Sequence, residues 1–227
     1  MLSIIIPVLN EARALVATLA VLQPMRARGA EVIVVDGGSA DDTVAIAADH
    51  VDQVLVAPKG RALQMNAGAH LASGEALFFL HGDSLPPADA DQRILQAFAG
   101  GGRAWGRFDV RISGTSPLLR VVAWLMNRRS RLSGIATGDQ GMFMTRAAFA
   151  AAGGFPEIQL MEDIAMSRAL KQLSSPWCLN EKITTSGRRW EKHGVLKTIL
   201  LMWRLRAAYF LGADPAQLAV HYHGRER

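Results

Sequence analysis

The chain has 227 residues, half of them hydrophobic and a fifth charged, which suits one domain with a substantial buried core and excludes a disordered or fibrous chain. The single Cys178 excludes a disulfide framework and reads as a small buried hydrophobe in a reducing compartment. The net charge of +5 is unevenly spread: residues 1–102 carry 6 basic and 11 acidic side chains, residues 103–181 carry 10 and 6, and residues 182–227 carry 9 and 3. Such a split points to two surfaces with different partners. Asn10 and Glu11 interrupt the first apolar stretch too early for a signal peptide, and no uncharged apolar run reaches the roughly 18 residues of a membrane span. A soluble, cytoplasmic protein is expected.

In chain order, LSIIIPV (2–8) reads as a short buried strand, followed by a helix over 11–22 with Leu15, Leu19 and Leu22 on one face. EVIVVD (31–36) is a second strand, then comes the turn GGSADD and a helix over 42–49. QVLVAP (53–58) is a third strand before a helix over 61–72, and ALFFLH (76–81) is a fourth. Near-continuous apolar strands alternating with helices predict an α/β fold with a mainly parallel sheet covered on both faces. Beyond residue 100 the alternation weakens. GGGRAWGRFDV turns into a strand, residues 118–131 form a basic amphipathic helix, and 164–173 is helical. The pattern over 195–211 mixes Leu, Ile, Met and Trp with Lys197, Arg204 and Arg206. It suits core packing, a homodimer contact or a peripheral seat on a membrane.

In open α/β sheets, ligands bind beyond the carboxyl ends of the strands. Polar residues gather there four times over: Pro7, Asn10 and Glu11; Asp36 with Gly37-Gly38-Ser39; Lys59, Gly60 and Arg61; and His81, Gly82 and Asp83. Asp41 or Asp42 reads as a helix N-cap, and Gly37-Gly38 as a tight turn. Asp36 ends a buried strand with no local capping task in view, which points it at a ligand. Arg61 opens a helix, where the macrodipole disfavours a cation, so an anion such as phosphate is expected beside it. Asp83, at the mouth of the fourth strand in FFLHGDS (78–84), reads either as part of a loop that turns polar where the strand meets water or as a hard oxygen ligand in a metal site.

Taken together and in this order, PVLNEA, VVDGGSADDT, KGRALQMNAGA and LHGDS resemble the family 2 glycosyltransferases of the GT-A fold. The likeness continues through AAGGFPE and LMEDIAMSRAL, to about residue 175. It implies transfer of a sugar, of hexose type, from a nucleoside-diphosphate donor with inversion, aided by Mn2+ or Mg2+. It places Asp36 and Arg61 on the nucleotide, with Pro7, Asn10, Glu11, Gly60 and Gly82 around the donor. The family's Asp-x-Asp motif falls on residues 81–83, where His81 replaces the first Asp. The resemblance therefore implies Asp83 as metal ligand, with His81 on donor or metal and His193 completing the shell from the C-terminal loop. Its Glu-Asp motif falls on Glu162 and Asp163, with Asp163 as the general base. Asp139 in TGDQG is a second candidate, as an acceptor-side contact or a structural turn.

The tail, SGRRWEKHG and the helix after it, resembles a group of small bacterial family 2 enzymes found beside radical SAM and selenium-related genes. Arg188 and Arg189 are candidates to clamp the diphosphate or an anionic acceptor, lipid-linked or soluble. The organisation expected is a glycosyltransferase domain over 1–185, with a nucleotide half (1–102) and an acceptor half (103–185), and a basic amphipathic tail over 186–227. Two rival functions fit parts of the pattern. A sugar-1-phosphate nucleotidyltransferase should carry a Gly-rich, Arg-containing loop where this chain has PVLNEA. A non-catalytic binder of nucleotide or of an anionic surface explains the charge but not four polar strand ends. Nucleic acid is not an expected partner.

Overall fold

A computed structural model describes residues 1–224, with residue 223 described by its backbone alone. Strand β1 (Leu2–Val8) is buried at every position, as a strand covered on both faces must be. There follow α1 (Ala12–Ala27), β2 (Glu31–Asp36), α2 (Thr43–Ala48), β3 (Gln53–Val56), α3 (Arg61–Leu71) and β4 (Ala76–Phe79). All the elements expected of the first half are present. Helix α1 outruns its expected end at residue 22 and passes through Pro24, because Leu22 and Met25 go on filling the core. Strand β4 stops at Phe79, two residues short of His81, which leaves Leu80 and His81 in a loop.

The second half adds β5 (Ser84–Leu85), α4 (Ala90–Ala99), β6 (Trp105–Ile112), α5 (Leu118–Ser133), a 3-10 turn (Gly138–Gln140), β7 (Met142–Thr145) and α6 (Arg146–Ala151). It ends with α7 (Glu162–Leu173), β8 (Trp177–Thr185), α8 (Arg188–His193), α9 (Val195–Phe210) and α10 (Pro215–His223). One sheet takes all eight strands in the order β3-β2-β1-β4-β7-β6-β8-β5. The first four are mutually parallel, β7 runs antiparallel between β4 and β6, and β8 is parallel to β6. The nucleotide and acceptor halves read from the sequence therefore share a single sheet.

Alternation along β1 and β2 builds two cores. Ile4, Ile6, Val32 and Val34 pack with α1 on one face, and Ile5, Ile33 and Val35 pack with α3 on the other. Burying each such side chain contributes about 1.5–3 kcal/mol. Helix α3 approaches so closely that a Cβ at Gly68 would lie 2.5 Å from Ile5 Cγ2. Two smaller cores seat the C-terminal helices. Val195 and Ile199 of α9 pack with Leu119, Val122 and Met126 of α5, while Leu205 and Leu218 pack with Met161 and Ile164. The inner face of the expected tail is thus core, and its residues 225–227 lie outside the described residues. Among the described residues no helix is long and apolar enough to cross a membrane.

Candidate active site

The four parallel strands deliver their carboxyl ends to one edge, as their registers require: Val8 lies opposite Asp36, and Asp36 opposite Val56. Pro7 costs the sheet no hydrogen bond. Ile5 accepts from Leu80 N on the β4 side, Pro7 faces the same way by alternation, and β4 has already ended there. Gln64, on α3, donates to the carbonyls of both Val8 and Val35 at 2.8 Å and ties the two strand ends together. Asp36 has a local task that the sequence does not reveal. Its buried carboxylate accepts from the Gly38 and Ser39 N–H groups at 2.8 Å and from the Ser39 hydroxyl, so it shapes the turn. Asn10, left-handed at φ 53, accepts from Ala40 N at 2.8 Å and links the loop after β1 to that turn. Asp41, rather than Asp42, serves the start of α2, accepting from Thr43 N at 3.1 Å and from Ala12 N at 3.2 Å.

A pocket at this edge is lined by Arg61, His81, Glu162 and Asp163 over a floor that includes Met65, Phe79 and Phe155. Four residues named from the sequence meet there. Gly138 N donates to Asp163 Oδ2 at 2.9 Å and Ile164 N to Oδ1 at 2.7 Å, which fixes the carboxylate at the pocket wall. His81 Nδ1 lies 3.4 Å from Asp139 Oδ1. Its Nε2 is buried without a partner against Gly138, where a Cβ would lie 2.4 Å away, so any side chain there would have to displace the imidazole. Burial acts to raise the Asp139 pKa, but the hydrogen bond and charge of His81, with Arg61 and Arg206, carry it below the ordinary value. Met161, just before the Glu-Asp pair, is left-handed at φ 72. Such a conformation costs a non-glycine residue about 1–2 kcal/mol and is characteristic of functional sites.

Glu162 Oε1 sits 3.5 Å from Arg61 Nη1, the carboxylate almost fully buried and the guanidinium half exposed. The cation that the dipole of α3 disfavours is thereby partnered by an acid at the N-terminus of α7. For Arg61, burial works against the charge, yet Glu162 and its neighbours outweigh it and raise the pKa. For Glu162, burial is the largest effect and raises the pKa, with Arg61 opposing it and Asp163 adding to it. A carboxyl with a raised native pKa holds its proton more tightly folded than unfolded, so its contribution to stability falls as pH climbs above about 4.3 and levels off beyond the raised value. Relative to Glu162→Gln, the wild type should therefore lose stability over this window. Parallel stability–pH curves in urea unfolding would rule that out.

Asp83 belongs to a second cluster. The pairing of Ser84 with Thr185 brings the residues after β8 alongside it. Arg188 Nη2 donates to Glu11 Oε2 at 2.9 Å and lies 3.5 Å from Asp83 Oδ2. Thr18 Oγ1 donates to Gly82 O at 2.9 Å and pins this loop to α1. Gly60 precedes α3 with φ 152, a conformation open to glycine. Two hard oxygen donors thus converge on a position that a guanidinium fills. The donor set fits a divalent cation completed by a diphosphate and waters, in the manner of Mg2+ sites, and not a protein-only cage. The histidines stand elsewhere. His81 faces Asp139, and His193 lines a separate recess with Arg189, Lys197, Thr198 and Leu201. Among the described residues no three His, Cys, Asp or Glu side chains group as a metal site. Arg189 stacks on the Tyr222 ring, 3.5 Å from its centroid, and donates to the Tyr222 carbonyl at 2.9 Å, fastening α10 to α8.

Sequence reasoning passed over Gln64, Met161 and two arginines, Arg129 and Arg206. Spacing could have found the arginines. Arg129 stands three residues after buried Met126 and seven after Val122, and Arg206 four after Met202 and seven after Ile199, both packed on the core, so both fall on the inner flanks of their helices.

The family model for glycosyl transferase family 2 matches residues 3–151. No curated protein matches the sequence significantly. Among solved structures, TarS residues 1–349 from S. aureus, in complex with UDP-GlcNAc, is 16% identical with a TM-score of 0.66; the match covers 82% of this chain and 58% of that one. This chain thus spans less than two thirds of that fragment. The mannosyltransferase PcManGT from Pyrobaculum calidifontis, in complex with GDP-Man and Mn2+, is 18% identical with a TM-score of 0.65 over 97% of this chain and 68% of its own. Glucosyl-3-phosphoglycerate synthase from Mycobacterium tuberculosis, in complex with Mn2+, UDP and glucosyl-3-phosphoglycerate, is 17% identical with a TM-score of 0.58, over 80% of this chain and 70% of its own. These likenesses agree with the strand order and the polar strand ends in giving the GT-A fold, and the family match over most of its length makes this chain a member of glycosyl transferase family 2.

Proposed function

We propose that this chain transfers a hexosyl group from a nucleoside-diphosphate sugar to an acceptor hydroxyl, with inversion at the anomeric carbon. The observation that carries this reading is the pocket at the strand ends, where Arg61, His81, Glu162 and Asp163 meet. Related folds were solved with UDP-GlcNAc and with GDP-Man and Mn2+, which supports a nucleotide-sugar donor here. The turn shaped by Asp36, with Pro7, Asn10 and Gly60 around it, edges the nucleotide. Arg61 faces the donor phosphates from the N-terminus of α3, where a helix favours an anion. Asp163, oriented by Gly138, accepts the proton of the acceptor hydroxyl. The freed oxygen attacks the anomeric carbon as the bond to the diphosphate breaks, and the diphosphate leaves with the electron pair. A divalent cation held by Asp83 and Glu11 would supply countercharge to that leaving group.

Thermal unfolding with UDP, GDP, dTDP and CDP in turn, each with and without Mn2+, tests the reading. A nucleotide at about 100 times its dissociation constant should add about 2.7 kcal/mol of stability. One nucleotide should stand out. Indifference to all four would defeat the donor assignment.

A further inference from the structure

Arginines in a folded protein are paired almost without exception when buried. Arg129 departs from this: its Nε and Nη2 are both buried with no hydrogen-bond partner. Arg206, on α9, makes no hydrogen bond or ion pair among the described residues. The two helices that carry them are neighbours, packed through Val122 and Met126 on α5 and Val195 and Ile199 on α9. Leu205, next to Arg206, packs on Met161 and Ile164, the residues that bracket the Glu-Asp pair. The buried, unpaired edge of the Arg129 guanidinium and the half-buried Arg206 are therefore carried on adjoining helices, both in electrostatic range of Asp139 and Asp163.

From this juxtaposition we infer an anion-binding subsite, formed by Arg129 and Arg206 beside Asp163, that takes a phosphate group on the acceptor. The inference rests on the transferase reading, since it is Asp163's role as base that makes this the acceptor side. Electrostatics agree with the geometry. Burial, and then the charge of Arg206, lower the Arg129 pKa to about 10, and burial lowers that of Arg206, while Asp139 and Asp163 pull both back. Arg107, a third cation in range of Arg129, is already bound to Asp109. A phosphate would supply the missing acceptors, in the forked geometry that guanidinium groups favour. The donor diphosphate would be met instead by Arg61 and the cluster of Glu11, Asp83 and Arg188.

A phosphate on the acceptor could belong to a soluble phosphomonoester or to a lipid. The outward faces of the same two helices carry Trp124 and Trp203, both about 60% exposed (59% and 62%), so a lipid source is worth its own arm. The probes are inorganic phosphate, then vesicles of phosphatidylcholine with and without phosphatidic acid, each on full-length protein saturated with whichever nucleotide binds. Wild type should be stabilised by phosphate. Arg129→Met and Arg206→Met should each weaken that affinity roughly ten- to a hundredfold, the range of a lost charge-assisted contact. The exposed Arg120→Gln on α5 should not. Each Met variant should also melt higher than wild type without ligand, because an unpaired buried charge has been removed. That rise shows the loss is not misfolding.

Arginine-dependent retention on phosphatidic acid vesicles alone identifies a lipid source; a response to inorganic phosphate alone identifies a soluble one. If neither inorganic phosphate nor phosphatidic acid vesicles are bound, or if what binds does so equally in wild type and both Met variants, the subsite is refuted while nucleotide binding still upholds the transferase reading. If no nucleotide binds, that reading fails separately.

Discussion

Asp163→Asn should lower sugar transfer by about 10²–10⁴-fold, the usual worth of a positioned general base. The amide is nearly isosteric and its oxygen can still accept from Gly138 N, which now reaches Oδ2 at 2.9 Å. The bond from Ile164 N, which now reaches Oδ1 at 2.7 Å, is lost because an NH2 group cannot accept it, while the Gly138 contact keeps the side chain at the pocket wall. What is lost is the capacity to take a proton from the acceptor hydroxyl. Nucleotide-dependent stabilisation should be unchanged if, as proposed, Asp163 serves the acceptor and the strand ends hold the donor. The split between turnover and donor binding is the diagnostic. Turnover within about tenfold of wild type would remove Asp163 from the base role, since even modest acid–base assistance exceeds that. Asp139 would then be the next candidate, and its depressed pKa beside His81 makes it ionised at neutral pH.

How much of this was legible in the sequence follows from the range of the signals. Strands β1, β2 and β4 announce themselves because a strand buried on both faces must be almost wholly apolar, and these are, while β3, partly buried at the sheet edge, is marked by its Val-Leu-Val run and its place in the alternation. Strands β7 and β8 do not, since β8 is only partly buried along its length and β7, though buried, offers a short apolar run, Met142 to Met144, that periodicity cannot tell from helix. The polar strand ends were visible as residues, but not their partners. Asp36 looked free because its acceptors' donors are backbone N–H groups of its own turn, which no residue type reveals. His81 and Asp83, two residues apart, fall in one motif, with Asp83 expected on the metal and His81 on donor or metal. The loop after β4 turns them to different neighbours, Asp139 and Arg188. The closeness of Arg188 to Asp83 depends on β5 pairing with β8, a contact across about a hundred residues (Ser84 with Thr185). Long-range pairing of that kind leaves no local trace.

That pairing sets up the last expectation, in which two variants of one cluster move in opposite directions. Asp83→Ala should abolish any dependence of nucleotide stabilisation on Mn2+, whereas Arg188→Gln should lower the Mn2+ concentration needed, by about 1.4- to fivefold. The first follows from ligand chemistry: Asp83 and Glu11 are the two carboxylates at the cluster, and a cation of this kind uses one or two carboxylates plus substrate phosphates. The second follows from occupancy. Arg188 Nη2 already stands 2.9 Å from Glu11 and 3.5 Å from Asp83, so an incoming ion must displace it. The guanidinium is 59% exposed, and an ion pair of that exposure is worth about 0.2–1 kcal/mol, which is a factor of about 1.4–5 in binding. Removing the competitor returns that factor to the metal. Arg188 has an opposite possible role, in which it neutralises the diphosphate itself. In that case Arg188→Gln would weaken nucleotide binding, and Mn2+ would make no difference in any variant. A titration of Mn2+ against nucleotide-dependent melting in wild type, Asp83→Ala and Arg188→Gln separates the two by the sign of the Arg188 effect. The sign is informative because both schemes assign Arg188 the same contacts and differ only in whether its charge competes with a second cation or replaces it.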